Sequence, residues 1–166
     1  MKYELLNNDT LELKGHVLKR IKRLEDGTLG GYIEFETNLS QRGVCWVDED
    51  ARVWGDAHVE DDAKIQDSAR VFDKATVSGS AVIKGNAQIY GRAEVSGAAR
   101  VQNDSHVYGW SKVYDNAIIK GRSQIGGDAK IFGEARILNA RIVSRAEISA
   151  DATVEDLWIE SPCRIS

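Results

Sequence analysis

The sequence predicts an all-β protein: a three-sided parallel β-helix of about seven coils, fronted by a short N-terminal β cap. Three observations carry that expectation. Fourteen consecutive six-residue units, the first starting at Ala51 and the last at Ala129, obey one residue rule. Aromatic residues return every 18 positions, at Trp54, Phe72, Tyr90 and Tyr108. Two later units, starting at Ala135 and Ala152, are each one residue short, and their starts lie 17 residues apart.

The unit comes first. Its first residue is always Ala or Ser, its third always Val or Ile, and its fifth always Gly, Asp or Asn. The third residue is β-branched and suits a pleated strand. Residues one and three lie on the same side of a strand, so one side is a small residue beside an aliphatic one. The fifth position holds the types that tolerate positive φ, as a sharp corner requires. Each unit is therefore a short strand plus a corner. Fourteen uninterrupted units leave no room for hairpins or helices, so the chain winds as a coil. The 18-residue aromatic spacing and the 17-residue spacing of the short units both give three units per coil. From Cys45 onward there are about seven coils, a prism ~30 to 35 Å long at ~4.8 Å per coil.

The segments before and after the repeat come next. Residues 1–44 break the rule and are assigned as a cap, with residues 45–166 as the β-helix. "KYELLNNDTLELKG" is expected to form a hairpin around Asn7, Asn8 and Asp9. "HVLKRIKRLEDG" is read as strand, and "GTLGG" at 27–31 as turns. Open sheet edges invite aggregation. The first segment is expected to cover one end of the prism, and "LWIESPCRIS" to close the other.

The repeat resembles the left-handed parallel β-helix of the hexapeptide acyltransferase superfamily. Left-handedness is what that resemblance implies. Residues 27–57 narrow it: Gly30, Gly31, Ile33, Asn38, Leu39, Ser40, Gly43, Cys45, Trp46 and Val47 look like the start of the YdcK-type hexapeptide proteins of enterobacteria and prophages. That resemblance implies a prophage setting and no particular activity.

Composition bounds the function. With 29% charged and 42% hydrophobic residues, the chain reads as an ordinary globular protein. A net charge of −4 opposes nonspecific nucleic-acid binding. No apolar run reaches membrane-span length, and the N-terminus lacks a signal-peptide pattern, so a cytoplasmic location is expected. Cys45 and Cys163 fall at inward positions near opposite ends of the prism, too far apart for a disulfide, and are expected as buried free thiols.

Few residues suggest chemistry. Acyltransferases of this shape carry an inserted loop and a histidine base, and no loop interrupts residues 45–139. His58 and His106 occupy outward second positions on different faces, and His16 lies in the cap. No catalytic residue, metal ligand or cofactor is assigned. "GTLGG" lacks the GxxxxGKS/T phosphate loop, and the acidic stretch 47–64 lacks EF-hand spacing.

The candidate binding surface is the aromatic stripe of Trp54, Phe72, Tyr90 and Tyr108, with Tyr114 and Phe132 at its margin. The stripe is expected to expose a few hundred Å² of apolar surface, the size at which patches begin to mark contact sites. A second candidate is the basic cluster Lys19, Arg20, Lys22 and Arg23, for an anion or an acidic partner. The expected function is a noncatalytic binding or assembly module, phage- or prophage-encoded, meeting a protein partner or its own copies through the aromatic face. Membrane and nucleic acid are not expected partners. One alternative is a phage inhibitor of a bacterial defence complex or its nucleotide signal. The other is an acyltransferase using an acyl-CoA donor.

Overall fold

A computed structural model describes residues 1–166. Strand β1 spans Tyr3–Leu13, β2 His16–Arg23 and β3 Leu29–Ile33. Two-residue strands follow at each unit: β4 at Trp46–Val47, β5 at Arg52–Val53 and β6 at His58–Val59 open the three faces. The first face is a ten-stranded sheet containing β5, and the second and third faces, begun by β6 and β4, have seven strands each. The fold is a three-sided parallel β-solenoid of about seven coils, as the repeat predicts.

Register follows the repeat. Gln88 pairs with Arg70 on one side and His106 on the other, 18 residues each way. The shortened units change this to 17, with Gln124 paired to Arg141 and Arg136 to Thr153. Most units send three backbone N–H groups to the next coil, as at Arg70 to Ala87 (2.9 Å), Phe72 to Ile89 (3.0 Å) and Lys74 to Gly91 (2.8 Å). Inside, the Ala and Val/Ile columns form one core, with Ala63, Ile65, Ala93 and Val95 fully buried. The inward Ser111 and Ser123 hydroxyls donate to the Tyr108 and Lys120 carbonyls at 2.7 and 2.6 Å, which satisfies them.

All fourteen fifth positions, from Gly55 (φ 67°) to Gly133 (φ 69°), are left-handed. The asparagine and aspartates there do a second job. The carboxylates of Asp61, Asp67, Asp73 and Asp115 accept the N–H of the glycine 18 residues on, at 2.9 to 3.1 Å. The glycine is also needed for space: a Cβ on Gly79 would stand 2.8 Å from the backbone of Gly97.

The N-terminal region departs from expectation in three places. The hairpin does not turn at Asn7–Asp9. β1 runs through them with a bulge between Leu5 and Thr10, and the turn falls at Lys14 and Gly15, both at positive φ. Gly15 takes its positive φ freely while Lys14 bears the strain of a left-handed corner, and the Asn7–Asp9 stretch bulges without leaving the sheet. Gly30 and Gly31 lie in β3, not in a turn, because the strand passes between neighbours with no room for a side chain. A Cβ on Gly30 would meet both Ile21 and the Val47 carbonyl at 2.6 Å. Parallel pairing also starts ahead of Cys45, where β3 pairs with β5 and Leu39 bridges Val59.

The hairpin seals the first coil. Tyr3, Leu18 and Ile21 are buried, and the Tyr3 hydroxyl donates to the Leu39 carbonyl at 2.6 Å. Asn38 is a buried plug: its amide nitrogen reaches the carbonyls of Gly55 and Ala57, and its oxygen accepts from the N–H of Glu34 and Phe35. At the other end, residues 157–165 are the last coil and not a lid over it. Trp158 is 73% exposed there. Cys45 is buried and free, as expected, but Cys163 is only half-buried, because no further coil covers it.

Two stability outcomes follow from these positions. Ala93→Leu should overpack the buried column and lower stability by ~1 to 3 kcal/mol, whereas Glu94→Leu on the exposed side should be nearly neutral in the same thermal melts. Ala150 holds a fifth-position corner at φ 55° without the tolerance of Gly, Asp or Asn. Ala150→Gly should therefore raise the melting temperature, by up to ~1 kcal/mol of stability.

Candidate functional site

The outward side chains of each strand are its second and fourth residues, so each face carries two columns. On the first face the fourth-position column is the aromatic ladder. Trp54 stacks on Phe72 with centroids 4.5 Å apart, Phe72 on Tyr90 at 5.0 Å, and Tyr90 on Tyr108 at 5.2 Å, all within 7° of parallel. The spacing is set by the coil repeat, and each stacked pair contributes ~0.5 to 1.5 kcal/mol beyond burial. Below Tyr108 the column meets Gly126, whose missing side chain leaves the space that the Tyr108 ring covers.

The ladder is less open than the sequence suggests. The rings lie plane upon plane and turn their edges outward. Trp54 is only 6% exposed and the other three are half-buried. Tyr114 and Phe132 also stack, at 5.0 Å, but they follow strands of the second face. They form a separate short column and do not border the ladder.

Beside the ladder runs a column that sequence reasoning overlooked: Arg52, Arg70, Gln88, His106, Gln124 and Arg141, each in register with the next. The signal for it was present, since it shares the ladder's periodicity two residues upstream. Neither column holds a carboxylate from Arg52 to Val143. Arg52 and Arg70 are directly opposed, and neither forms an ion pair. The Nε atoms of Arg52 and Arg141 are buried without a hydrogen-bond partner. Like charges placed opposite one another destabilise a sheet, so this face holds unneutralised positive charge.

The basic cluster of β2 is not gathered into one patch. Lys19 donates to Asn7, and Lys22 lies 3.8 Å from Glu4. Arg20 is enclosed by Asp9, the Gly30 carbonyl and the Tyr32 hydroxyl. Arg23 lies over the Trp46 ring and beside Asp26. Each of the four has a partner within the chain.

The histidines are dispersed. His16 contacts the Glu34 carboxylate at 3.0 Å, and His58 faces the Thr37 carbonyl and Glu60. His106 sets its ring edge-on to Tyr90 at 6.1 Å. Partial burial pushes the His106 pKa below its ordinary value, with Asp104 opposing the shift. The largest concavity, about 600 Å³, is lined by Asp48, Glu49, Asp50, Gln66, Asp67, Ser68 and Lys84, with no apolar side chain. Ligand pockets are mostly apolar, so it is a poor fit to an acyl chain. No group of three or more His, Cys, Asp or Glu converges as metal ligands do, and no helix is long and apolar enough to cross a membrane.

The family model described as the YdcK β-solenoid repeat matches residues 87–101. That stretch runs from the first-face strand bearing Tyr90 to Val101 on the third face. No curated protein matches the chain.

The neutral form of His106 is favoured in the folded chain, so its protonation favours unfolding. Stability from this group is present above its ordinary pKa of ~6.5 and is lost as pH falls below it. In an NMR titration His106 should titrate below the ordinary value, and Asp104→Asn should move it lower still.

Proposed function

We propose that the chain is a noncatalytic binding and assembly module, and that the first face is its contact surface for a protein partner or a second copy of itself. One observation carries this reading: the continuous Trp54–Phe72–Tyr90–Tyr108 ladder lies beside opposed, unpaired arginines, in two columns that hold no carboxylate from Arg52 to Val143. Aromatic edges and arginines are the side chains most enriched where proteins meet. A partner carboxylate placed between Arg52 and Arg70 would relieve their repulsion while ring edges supply apolar contact. The prism behind them is stiff, because every coil is tied to both neighbours by backbone hydrogen bonds, so little ordering is needed on binding. The resemblance noted for residues 27–57 adds a prophage setting to the reading, with a cytoplasmic host protein as the partner.

The test changes Phe72 and Tyr90 together to Ser. The interior is untouched, so the variant should remain folded, with a lower melting temperature from lost stacking. Light scattering and pull-down against the wild type then decide. Loss of the oligomer or of the captured partner supports the contact surface. A folded variant that keeps both reduces the ladder to a stabilising stack and removes the first face from the reading.

A further inference from the structure

The third face carries a different pattern. Its second-position column reads Lys64, Val82, Arg100, Ile118 and Arg136 in successive coils, each in register with the next. Its fourth-position column reads Gln66, Lys84, Gln102, Lys120 and Leu138. Every one of these five coils contributes one cation, and the cation changes column at each step. The remaining position in each coil is aliphatic or Gln. No carboxylate occurs among the ten residues. All five cations are exposed, and none forms an ion pair or a side-chain hydrogen bond, whereas Lys112 and Lys130 on the second face are paired with Glu94 and Glu147. In a chain of net charge −4, this is a localised line of positive charge, with Lys84 at its one acidic border, the concavity of Asp48, Glu49, Asp50 and Asp67.

The line has dimensions. Coils ~4.8 Å apart and columns two residues apart place neighbouring cations ~8 Å from one another and give a run of ~19 Å along the prism. An extended peptide covers that length in about six residues, with side chains of one side ~6.6 Å apart. Val82, Ile118 and Leu138 lie between the charges. At the C-terminal end a groove of about 330 Å³ is lined by Ile118, Lys120, Arg136, Ile137, Leu138 and Thr153. Single-stranded nucleic acid binds through aromatic stacking platforms as well as charge. Here the one aromatic in the second-position column is Trp46, buried under Arg23. Charge with interleaved aliphatics matches protein better than nucleotide.

We propose that the third face docks an extended protein segment whose prism-facing side chains, every second residue, alternate between acidic and aliphatic, its carboxylates meeting cations of the line Lys64, Lys84, Arg100, Lys120 and Arg136, and its apolar side chains meeting Val82, Ile118 and Leu138. This rests on the binding-module reading but uses a surface separate from the ladder.

The probe is a short fluorescent peptide repeating Glu-Ser-Leu-Ser, which puts Glu and Leu on one side when extended, titrated with the full chain at low ionic strength and read by anisotropy. The wild type binds it, and binding weakens as salt rises. Lys84→Glu with Lys120→Glu weakens binding about tenfold or more, and Ile118→Ser about threefold. Lys112→Glu with Lys130→Glu, on the second face, leaves it within about twofold. Thermal melts establish that each variant is folded. The proposal is overturned if the wild type does not bind the peptide, or if the second-face reversal weakens binding equally. It also falls if a Glu–Ser peptide or an oligothymidine binds as tightly, or if the third-face reversal changes the oligomeric mass, which would make the occupant a second copy. Phe72→Ser with Tyr90→Ser must leave peptide binding intact. Peptide failure beside a ladder variant that loses its partner sinks this inference alone. Peptide binding beside a ladder variant that loses nothing sinks only the first-face assignment.

Discussion

A left-handed backbone corner every six residues is the constraint on which the rest of this molecule depends. Each corner turns the chain by a third of a revolution, so strands of neighbouring coils meet in parallel register without helices or long crossovers. The requirement is severe, because an ordinary L-residue in that conformation is strained, and because each corner sits directly on the next. Glycine meets both demands. Aspartate meets the first, and its carboxylate fixes the corner of the following coil by accepting a glycine N–H, as Asp61 does for Gly79. Once the corners are placed, the inward columns of Ala and Val or Ile can fill the interior in identical layers.

The same geometry sorts charge. Four corner aspartates accept backbone N–H groups, while the first and third faces gather cations that pair with no carboxylate. An acidic chain thereby acquires two faces that are locally basic, each with a different texture. One joins opposed arginines to half-buried aromatic edges. The other alternates single cations with aliphatic residues. The second face, by contrast, pairs its lysines with glutamates and is close to neutral. Net charge, an average over the molecule, gave no indication of this separation.

The periodic part of the fold was legible in the sequence because one structural unit equals one sequence unit. The short units at Ala135 and Ala152 were read correctly as trimmed coils for that reason. The N-terminal region repeats nothing, so its hairpin turn, the glycines of β3 and the buried plug of Asn38 had to be inferred from local preferences. Local preference favoured Asn7–Asp9 for the turn, but the sheet absorbed those residues as a bulge. Of the candidate surface, the ladder's column was legible and its exposure was not. Sequence places Trp54 outward, but whether an outward ring is open depends on how its neighbours lean across it. The free arginines and the staggered lysines share the ladder's period. Outward Lys, Arg and Gln are the residue types of any solvated strand face, so their type alone does not mark them.

Because position along the chain sets angle around the axis, this molecule converts insertions and deletions into rotations. Removing a whole coil shortens the prism and leaves every face as it was. Removing a single unit, for instance residues 75–80, would leave the interior equally well filled, since all units present the same inward residues. Everything downstream would nevertheless move around by one face. Tyr90 and Tyr108 would pass to the third face, and Tyr114 and Phe132 would join the Phe72 column two and three coils below it, with Ser96 between. The core is blind to the change while each outer surface is redrawn. Variation in steps of six residues therefore shuffles the outer surfaces without threatening the fold, and variation in steps of eighteen tunes length alone.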